Sequence, residues 1–364
     1  MAIYELQPTL PPPCQRSGVL GWLRHRLFPN WWSALLTLAL LYLLLPPLWH
    51  FLQWALLSAT WQGESRAACS SEGACWAFIG HRLNQFIYGF YPPELYWRIN
   101  LVFALLASLI AGLLLPRLPG KGRLGLFALL GFPPLAWWLI HGGAGLEVVS
   151  TNLWGGLMLT LVLALTGMVF ALPLGVLLAL GRRSKMPVIA AFSVVYIEFW
   201  RAVPLITVLF MASVMLPLFV TTGVEIDKLL RAMIGIILFQ SAYMAEVVRG
   251  GLQAVPKGQY EAGAALGFNY WRAMGLIVLP QALKIAIPSI VNTFISLFKD
   301  TSLVLIIGLF DLLAISKVAL ADPAWLGFST EAYLFVGLVF WIFCFGMSRY
   351  SIHLEGKLHT GHKR

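Results

Sequence analysis

Charged residues are scarce in this chain. Asp, Glu, Lys and Arg make up 11% of its 364 residues, whereas a typical soluble domain has about 25%. Hydrophobic residues make up 59%, and the mean hydropathy is +0.81. This composition excludes a soluble globular enzyme and a disordered protein. The net charge of +10 lies in short clusters between long apolar runs, which argues against nucleic-acid binding and indicates a membrane protein.

Signatures of catalytic and metal sites are also missing. The sequence has no Gly-x-x-x-x-Gly-Lys-Ser/Thr phosphate loop, no Gly-x-Ser-x-Gly elbow and no His-Glu-x-x-His motif. Four cysteines are too few for a disulfide scaffold, and no cysteine–histidine spacing fits a metal site. We therefore expect no catalytic residue and no bound metal, and any ATP would be hydrolysed by another chain.

Long apolar runs make up most of the chain. A transmembrane helix needs about 20 mostly apolar residues, and eight stretches approach or exceed this length. They are Ser33–Leu57, Ile99–Leu115, Leu124–Ile140, Leu153–Leu180, Val188–Leu218, Leu229–Val248, Ala282–Leu320 and Ala332–Ser348. The fifth and the seventh stretches are interrupted by charged residues, so each is either one broken span or two.

The basic residues decide between these alternatives. Five clusters hold most of the 25 Lys and Arg residues, and they precede the first span, follow the second, fourth and sixth, and end the chain. If each stretch crosses once, all five clusters lie on one face, which the positive-inside rule assigns to the cytoplasm. Splitting only one interrupted stretch would place the C-terminal basic tail outside. We therefore predict an all-α membrane protein with eight net crossings and both termini in the cytoplasm.

The loop 58–97 would then face outward, and it contains Cys69 and Cys75. An oxidising compartment permits a disulfide between them, and two free thiols are the equally weighted alternative. The first apolar stretch is longer than the h-region of a signal peptide and lacks a clear small-residue cleavage site. We expect it to be a true span.

The segment after the sixth span is too polar to cross the membrane and too long for a simple turn. Pro256 and Pro280 are expected to bound short helices. Glu261 and Ala262 suit a helix, and Gly267 can end it as a C-cap. The sequence thus predicts a short cytoplasmic helix–turn–helix in residues 249–280. On residue properties alone, a simple connector between spans is the preferred interpretation of this segment.

The spacing of this segment, however, resembles a known family. Glu-Ala-Gly, three residues, Gly, nine residues and then Ile-x-Leu-Pro is similar to the signature of permease subunits of ATP-binding-cassette importers. The matching positions are Glu261, Ala262, Gly263, Gly267, Ile277, Leu279 and Pro280. Gly263 stands where the family has a second Ala, and it should loosen the helix by about 1 kcal/mol relative to Ala.

The resemblance extends from about residue 152 to 350. The stretches beginning at Glu198, Ser241, Pro280 and Phe298 resemble the polar-amino-acid permeases, although Ala202 and Val203 replace Gly-Thr in the first of them. Residues 1–150, with three further spans, resemble by layout the long M-type subunit of general L-amino-acid transporters.

This resemblance implies a domain organisation. It comprises a cytoplasmic arm 1–30, a three-span extension 31–150, a type I importer permease core 151–350 with five net spans, and a basic cytoplasmic tail 351–364. The loop 249–280 would dock on partner ATPase subunits, which would carry ATP and Mg²⁺, while this chain would bind no cofactor. The other implied partners are a second permease subunit, expected to be a paralogue, and a periplasmic or extracellular amino-acid-binding protein. The implied location is a bacterial inner membrane.

Two groups of charges interrupt the apolar stretches. Charges at membrane depth are costly, so they usually pair, face water or serve function. Glu198 and Arg201 have the spacing of an i,i+3 ion pair, and we interpret them as a structural or gating pair, or as groups at the interface.

The second group is Lys299-Asp300-Thr301-Ser302. Adjacent helical residues do not face each other, so Lys299 and Asp300 are poorly placed to neutralise one another. Since an amino acid needs both a cation and an anion as partners, we hypothesise that this tetrapeptide lines a translocation path. Two internal ion pairs or an interfacial position remain the alternative.

Other function classes stay open at this point. An ion-coupled secondary transporter would show inverted repeats, and no convincing repeat relates the two halves. A membrane scaffold without transport activity would leave the loop 249–280 and the Lys299–Asp300 charges unexplained. An importer of another polar solute, such as an opine, is compatible with the same residues.

The path hypothesis predicts that Lys299→Gln and Asp300→Asn each impair amino-acid uptake without blocking complex assembly, because the zwitterion loses one charged partner. Uptake of labelled amino acids by whole cells measures the first effect, and co-purification of partner subunits measures the second. Lys185→Gln, in a loop cluster, is the matched control. Wild-type uptake kinetics in both path variants would contradict the hypothesis.

Overall fold

The computed structural model describes residues 21, 23, 26–115, 119–219 and 226–358. Most of the predicted arm 1–30 and the last six residues of the tail lie outside this part. The chain forms two compact units. One comprises Met1–Gly63 and Ala67–Ala77, and the other comprises Glu64–Arg66 and Phe78–Arg364.

From Trp31 onward, the described residues of the first unit form an apolar helix and the loop that follows it. Helix α1, Trp31–Leu57, has the length and composition of a membrane span, and its final turn is π-helical. The loop folds back on the helix end, where the Trp76 indole donates a hydrogen bond to the Ala55 carbonyl over 2.7 Å. Of the two alternatives for the loop cysteines, the structure has the Cys69–Cys75 disulfide.

The second unit contains the described helices that follow. In chain order they are α2 Trp76–Tyr88, which begins in the first unit, α3 Pro93–Leu114, α4 Lys121–His141, α5 Gly156–Arg182, α6 Pro187–Ala202, α7 Leu205–Phe219, α8 Lys228–Ala254, α9 Lys257–Ala265, α10 Tyr270–Ile307, α11 Leu312–Leu320 and α12 Ser329–Leu358. The extension helices α3 and α4 therefore belong to the same unit as the C-terminal half.

The described residues contain seven helices that are long and apolar enough to cross a membrane. Helices α6 and α7 pass the same test only together, with a bend of 100° between them, and they form an eighth span if they are counted as one. This count confirms the predicted all-α membrane fold with about eight spans. It also locates the interruption of the fifth predicted stretch at Val203 and Pro204, because proline removes a helical hydrogen bond.

The seventh predicted stretch, Ala282–Leu320, differs from the structure at both ends. Helix α10 begins at Tyr270 and runs through Pro280 without a break, so the prediction that Pro280 bounds a short helix is wrong. A π-helical turn, Met274–Val278, precedes Pro280. This wider turn accommodates a residue that lacks a backbone N–H.

At its other end, α10 stops at Ile307, and α11 is a separate helix. Asp311 caps α11 by accepting hydrogen bonds from the backbone N–H groups of Leu313 and Ala314. Burial raises the pKa of the Asp311 carboxyl to about 6, although these two bonds lower it. Phe310 and Asp311 form a short parallel pairing with Gly155 and Gly156 at the start of α5.

Helix α8 lies at the centre of the C-terminal half, packed against α5 and α10. Ala242, Met244, Ala245 and Val248 on this helix are fully buried. The approach is close enough that a Cβ at Gly251 would lie 2.4 Å from the Ala282 carbonyl oxygen of α10. Small residues permit such backbone approach between membrane helices, where dispersion rather than exclusion of water holds the pair together.

We predict that Gly251→Ala destabilises the protein by about 1–3 kcal/mol, because the new methyl group overpacks the α8–α10 contact. Gly250→Ala is the matched control, since a Cβ at Gly250 would meet no atom within 4 Å. The control should be neutral or slightly stabilising, because Ala favours a helix over Gly. Thermal unfolding in detergent measures both. Equal midpoints for the two variants would contradict the packing argument.

Candidate functional site

The predicted helix–turn–helix is present, and we call residues 256–280 the capped segment. Helix α9 follows Pro256 and ends in a Schellman motif. The Gly267 N–H donates to the Ala264 carbonyl over 2.9 Å, and the Phe268 N–H donates to the Gly263 carbonyl over 3.1 Å. Gly267 has φ +74°, a left-handed conformation that glycine adopts without steric cost. Its predicted role as a helix C-cap is confirmed.

The other side of the turn is capped as well. The Asn269 side-chain oxygen accepts a hydrogen bond from the Arg272 N–H over 2.9 Å at the start of α10. Asn is among the best N-cap residues because its side chain satisfies a backbone donor that the helix leaves unpaired. The turn between α9 and α10 is therefore fixed by hydrogen bonds on both sides.

Gly263 has a packing role that the sequence did not reveal. It is buried, and a Cβ at this position would lie 3.3 Å from the Ala273 Cβ and 3.4 Å from Ile277 Cδ1. These distances are tight for an added methyl group. Because Gly263 has no side chain, α9 can lie directly on the start of α10. This closer packing offsets the lower helix propensity of glycine. Ile277 supplies part of this contact surface.

The remaining signature residues occupy different environments. Glu261 and Ala262 are exposed, and the Glu261 carboxylate has no hydrogen bond or ion pair with another described residue. Leu279 packs at the edge of the apolar cluster around α8, whereas Pro280 is exposed. The exposed pair on α9 is thus available to a partner, and Leu279 has a packing role.

Sequence reasoning missed the side chains that attach α9 to the helices around it. The Tyr260 hydroxyl donates to the Leu252 carbonyl near the end of α8 over 3.1 Å and accepts from the Arg183 guanidinium over 3.2 Å. The Gln281 amide of α10 donates to the Gln259 side-chain oxygen over 3.0 Å. Arg183 belongs to the basic cluster that follows the fourth predicted span, and the sequence contains no signal for these pairings.

An apolar surface flanks the turn of the capped segment. Leu266 and Trp271 are each 70% exposed, and Tyr270 is 51% exposed. Large aromatic and aliphatic side chains are costly to leave in water, and aromatic residues are enriched at protein interfaces. The turn therefore has the features of a contact surface, and the exposed Glu261 carboxylate lies on α9, the helix that precedes it.

The predicted ion pair between Glu198 and Arg201 is wrong, because each residue pairs with a residue of another helix. Within the described residues, Glu198 pairs with Arg182 at the end of α5 over 3.0 Å. Arg201 lies in the last turn of α6, at 3.9 Å from the Glu246 carboxylate of α8. Local spacing alone suggested a pair along one helix, but charged groups of neighbouring helices lie closer.

Glu246 is the centre of this charge cluster. It accepts from Arg182 over 2.7 Å and forms a two-bond contact with Arg249 over 2.6 and 3.0 Å. Its side chain is 16% exposed, compared with 54% for Glu198. The cluster joins α5, α6 and α8 next to the 100° bend, which makes Glu246 the residue that neutralises the arginines there.

The predicted path tetrapeptide lies at the far end of α10. Lys299 is exposed, Asp300 is half-buried and Thr301 is fully buried. The Thr301 hydroxyl donates to the Phe298 carbonyl, and the Ser302 hydroxyl donates to the Lys299 carbonyl. These local bonds leave Thr301 inside the protein, while Lys299 remains accessible to a solute or partner.

Lys299 continues a polar stripe along α10. Ser289, Asn292 and Ser296 are also exposed, and their spacing places all four residues on one face of the helix. This stripe was missed as a unit, although its i, i+3, i+7, i+10 spacing is visible in the sequence. A polar face on a membrane-spanning helix requires water or a polar partner opposite it.

Comparison with known proteins gives consistent results. Residues 171–359 match the family model of a binding-protein-dependent transport system inner membrane component. The chain is 55% identical to the inner membrane amino-acid ABC transporter permease protein YhdY of Escherichia coli K12, over 97% of both chains. It is 39% identical to the glutamate/glutamine/aspartate/asparagine transport system permease protein BztC of Rhodobacter capsulatus, over 99% of this chain and 98% of that protein.

A solved structure matches little more than half of this chain. It is described as an amino acid ABC transporter with histidines, with 28% identity and a TM-score of 0.50, and the match covers 56% of this chain and 92% of that one. The two relatives named above thus share the extension, whereas the solved chain matches little more than half of this protein.

The charge cluster predicts unequal effects of its two carboxylates. Glu246→Gln should destabilise the protein by about 2 kcal/mol or more, because several arginines lose their shared and mostly buried counter-ion. Glu198→Gln removes one pair of a largely exposed residue and should cost less than about 1 kcal/mol. Thermal unfolding in detergent compares the two variants, and an equal or larger loss for Glu198→Gln would contradict this assignment.

Proposed function

Because this chain belongs to the amino-acid ABC transporter permeases, in the long form with an N-terminal extension, we propose that its capped segment docks on partner ATPase subunits and couples ATP hydrolysis to amino-acid import. The chain is a transport subunit of the inner membrane and not an enzyme. The observation that carries the proposal is the α9–α10 turn, capped on both sides and flanked by exposed Leu266 and Trp271.

Stiffness is what the coupling role requires. A rigid helix transmits a rigid-body displacement, whereas a flexible loop absorbs it. Arg183 and Tyr260 join α9 to the ends of α5 and α8, and the Gln259–Gln281 bond joins it to α10. A displacement of α9 by an ATPase subunit would therefore reach three spans at once.

ATP and Mg²⁺ would be bound by the ATPase partner, and no cofactor by this chain. This division of labour agrees with the absence of a phosphate-binding loop in the sequence. Glu261 would provide a polar contact to the ATPase, since its carboxylate is exposed on α9.

The polar stripe on α10 supports the proposed path. Ser289, Asn292, Ser296 and Lys299 would be costly against lipid, so this face lines water or meets a second permease subunit, expected to be a paralogue. Lys299 would attract the substrate carboxylate, and the half-buried Asp300 would attract its ammonium group. An amino-acid-binding protein on the outer face would deliver the substrate.

The orientation follows from the distribution of basic residues. With eight crossings, the clusters near Arg123, Arg183 and Arg349 share one face with the capped segment. By the positive-inside rule, this face and both termini would lie in the cytoplasm. The Cys69–Cys75 loop would then lie in the oxidising periplasm, where a disulfide is stable.

Purification of the tagged protein from its native membrane tests the docking proposal. A Val at Gly267 cannot adopt the left-handed turn without strain, so Gly267→Val should reduce the ATPase that co-purifies at least tenfold, and Glu261→Lys should also reduce it. Gly258→Ala is the control, because Gly258 is exposed and its Cβ would meet no atom within 4 Å.

The folded state of each variant is checked by size-exclusion chromatography and thermal unfolding, so that lost docking is distinguished from misfolding. Folded wild-type protein that repeatedly brings no ATPase would refute the proposal. ATPase recovery equal to wild type in both Gly267→Val and Glu261→Lys would instead show that the capped segment is not the docking surface.

A further inference from the structure

An apolar cavity of about 230 Å³ lies between α3, α4 and α5. All three helices belong to the second compact unit, and the cavity separates the extension from the start of the core. Every residue lining the cavity is apolar or aromatic except Thr166. An apolar cavity of about 150 Å³ in another protein stays dry and takes up benzene or xenon. This larger cavity is therefore suited to an apolar occupant and poorly suited to water.

The two ends of the cavity differ. At one end, Trp154 is 1% exposed and Ile140 is 2% exposed, so that end is closed by protein. At the other end, Ile110 is 48% exposed and Leu113 is half-buried. The lining residues of α3 run from Val102 to Leu113, about 16 Å at 1.5 Å per residue. The cavity is thus elongated, with its accessible end near the last turn of α3.

Two cations lie at the accessible end. The Lys121 ammonium donates a hydrogen bond to the carbonyl oxygen of Leu113, the last lining residue of α3, over 3.0 Å. Arg123 is exposed in the same first turn of α4. Basic residues between transmembrane helices at the cytoplasmic interface bind the head groups of anionic lipids. The charges are therefore placed where a lipid phosphate would lie if its acyl chain entered the cavity.

We propose that this cavity holds one acyl chain of an anionic phospholipid, with the lipid phosphate bound by Lys121 and Arg123. The chain would fill the space that side chains leave between α3, α4 and α5, and it would supply the dispersion contacts that an empty cavity forfeits. The lipid is then a structural component of the junction between the extension and the core. This role is independent of the coupling function and of the transported solute.

Phospholipid analysis of the detergent-purified wild-type protein provides the first test. After exhaustive detergent exchange, native mass spectrometry should detect one retained phosphatidylglycerol-class lipid for each permease chain. Ala136→Phe, which fills the cavity, should reduce the retained lipid at least tenfold. Ala107→Phe makes the same change at an exposed position of α3 and should retain the lipid. No retained lipid in the wild type, or equal retention in both variants, would overturn the proposal.

The double variant Lys121→Gln/Arg123→Gln tests whether the acyl chain in the cavity belongs to a phospholipid. This double variant should lower phosphatidylglycerol retention at least fivefold, because the phosphate loses both cations. A free fatty acid detected by mass in the wild type in place of the phospholipid would overturn the proposed occupant.

Photocrosslinking of the unmodified protein does not depend on whether a variant folds. Phosphatidylglycerol with a diazirine on its acyl chain, added before purification, should label peptides from residues 102–113 and 128–140. Labelling confined to α1 and α12 would show contact with bulk lipid only and would overturn the proposal. The proposal would also be overturned if residues 102–113 and 128–140 took no lipid label and crosslinked instead to a helix of a partner subunit.

Discussion

Close backbone approach around α8 is the constraint on which the rest of the core depends. Inside a membrane, lipid tails are as apolar as leucine, so helices gain little from leaving lipid and associate through packing and hydrogen bonds. Helix α8 meets α5 at Gly175 and α10 at Gly251, positions where a side chain would collide with the neighbour. Glu246 lies on α8 between these contacts, and α9 begins three residues after α8 ends. The charge cluster and the capped segment are positioned by this junction.

The capped segment shows how a short polar stretch can become rigid outside the bilayer. An isolated helix of nine residues is marginal in water, because helix nucleation is unfavourable. Helix α9 is instead held by the Schellman turn at Gly267, by the bond from Gln281 and by the Arg183–Tyr260 contact. Gly263 removes the last steric obstacle to contact with α10. Its rigidity thus comes from tertiary contacts, and the helix propensity of its residues contributes less.

The fold was largely predictable, because spans and their parity follow from apolar length and the distribution of basic residues. The helix cap at Gly267 was predictable because the conformational role of glycine is local. The partners of Glu198 and Arg201 were not predictable, since they depend on which helices become neighbours. Pro280 was misinterpreted because the π-helical turn that accommodates it has no sequence signature. Gly263 departs from the family pattern, and its close contacts with Ala273 and Ile277 are visible only in the structure.

The contact between Gly89 and Gly155 has a consequence for any shortening of this chain. A Cβ at Gly89 would lie 2.4 Å from the Gly155 Cα, and Gly155 in turn pairs with Phe310. The extension and the core therefore share a seam without side chains, in which neither glycine can be replaced independently. Loss of the segment around Gly89 would remove its backbone pairing with Trp154 and open this glycine contact. A shortened chain would also lose Phe86, whose carbonyl oxygen would lie 2.3 Å from a Cβ at Gly156, so the start of the core would be left without the backbone it packs against.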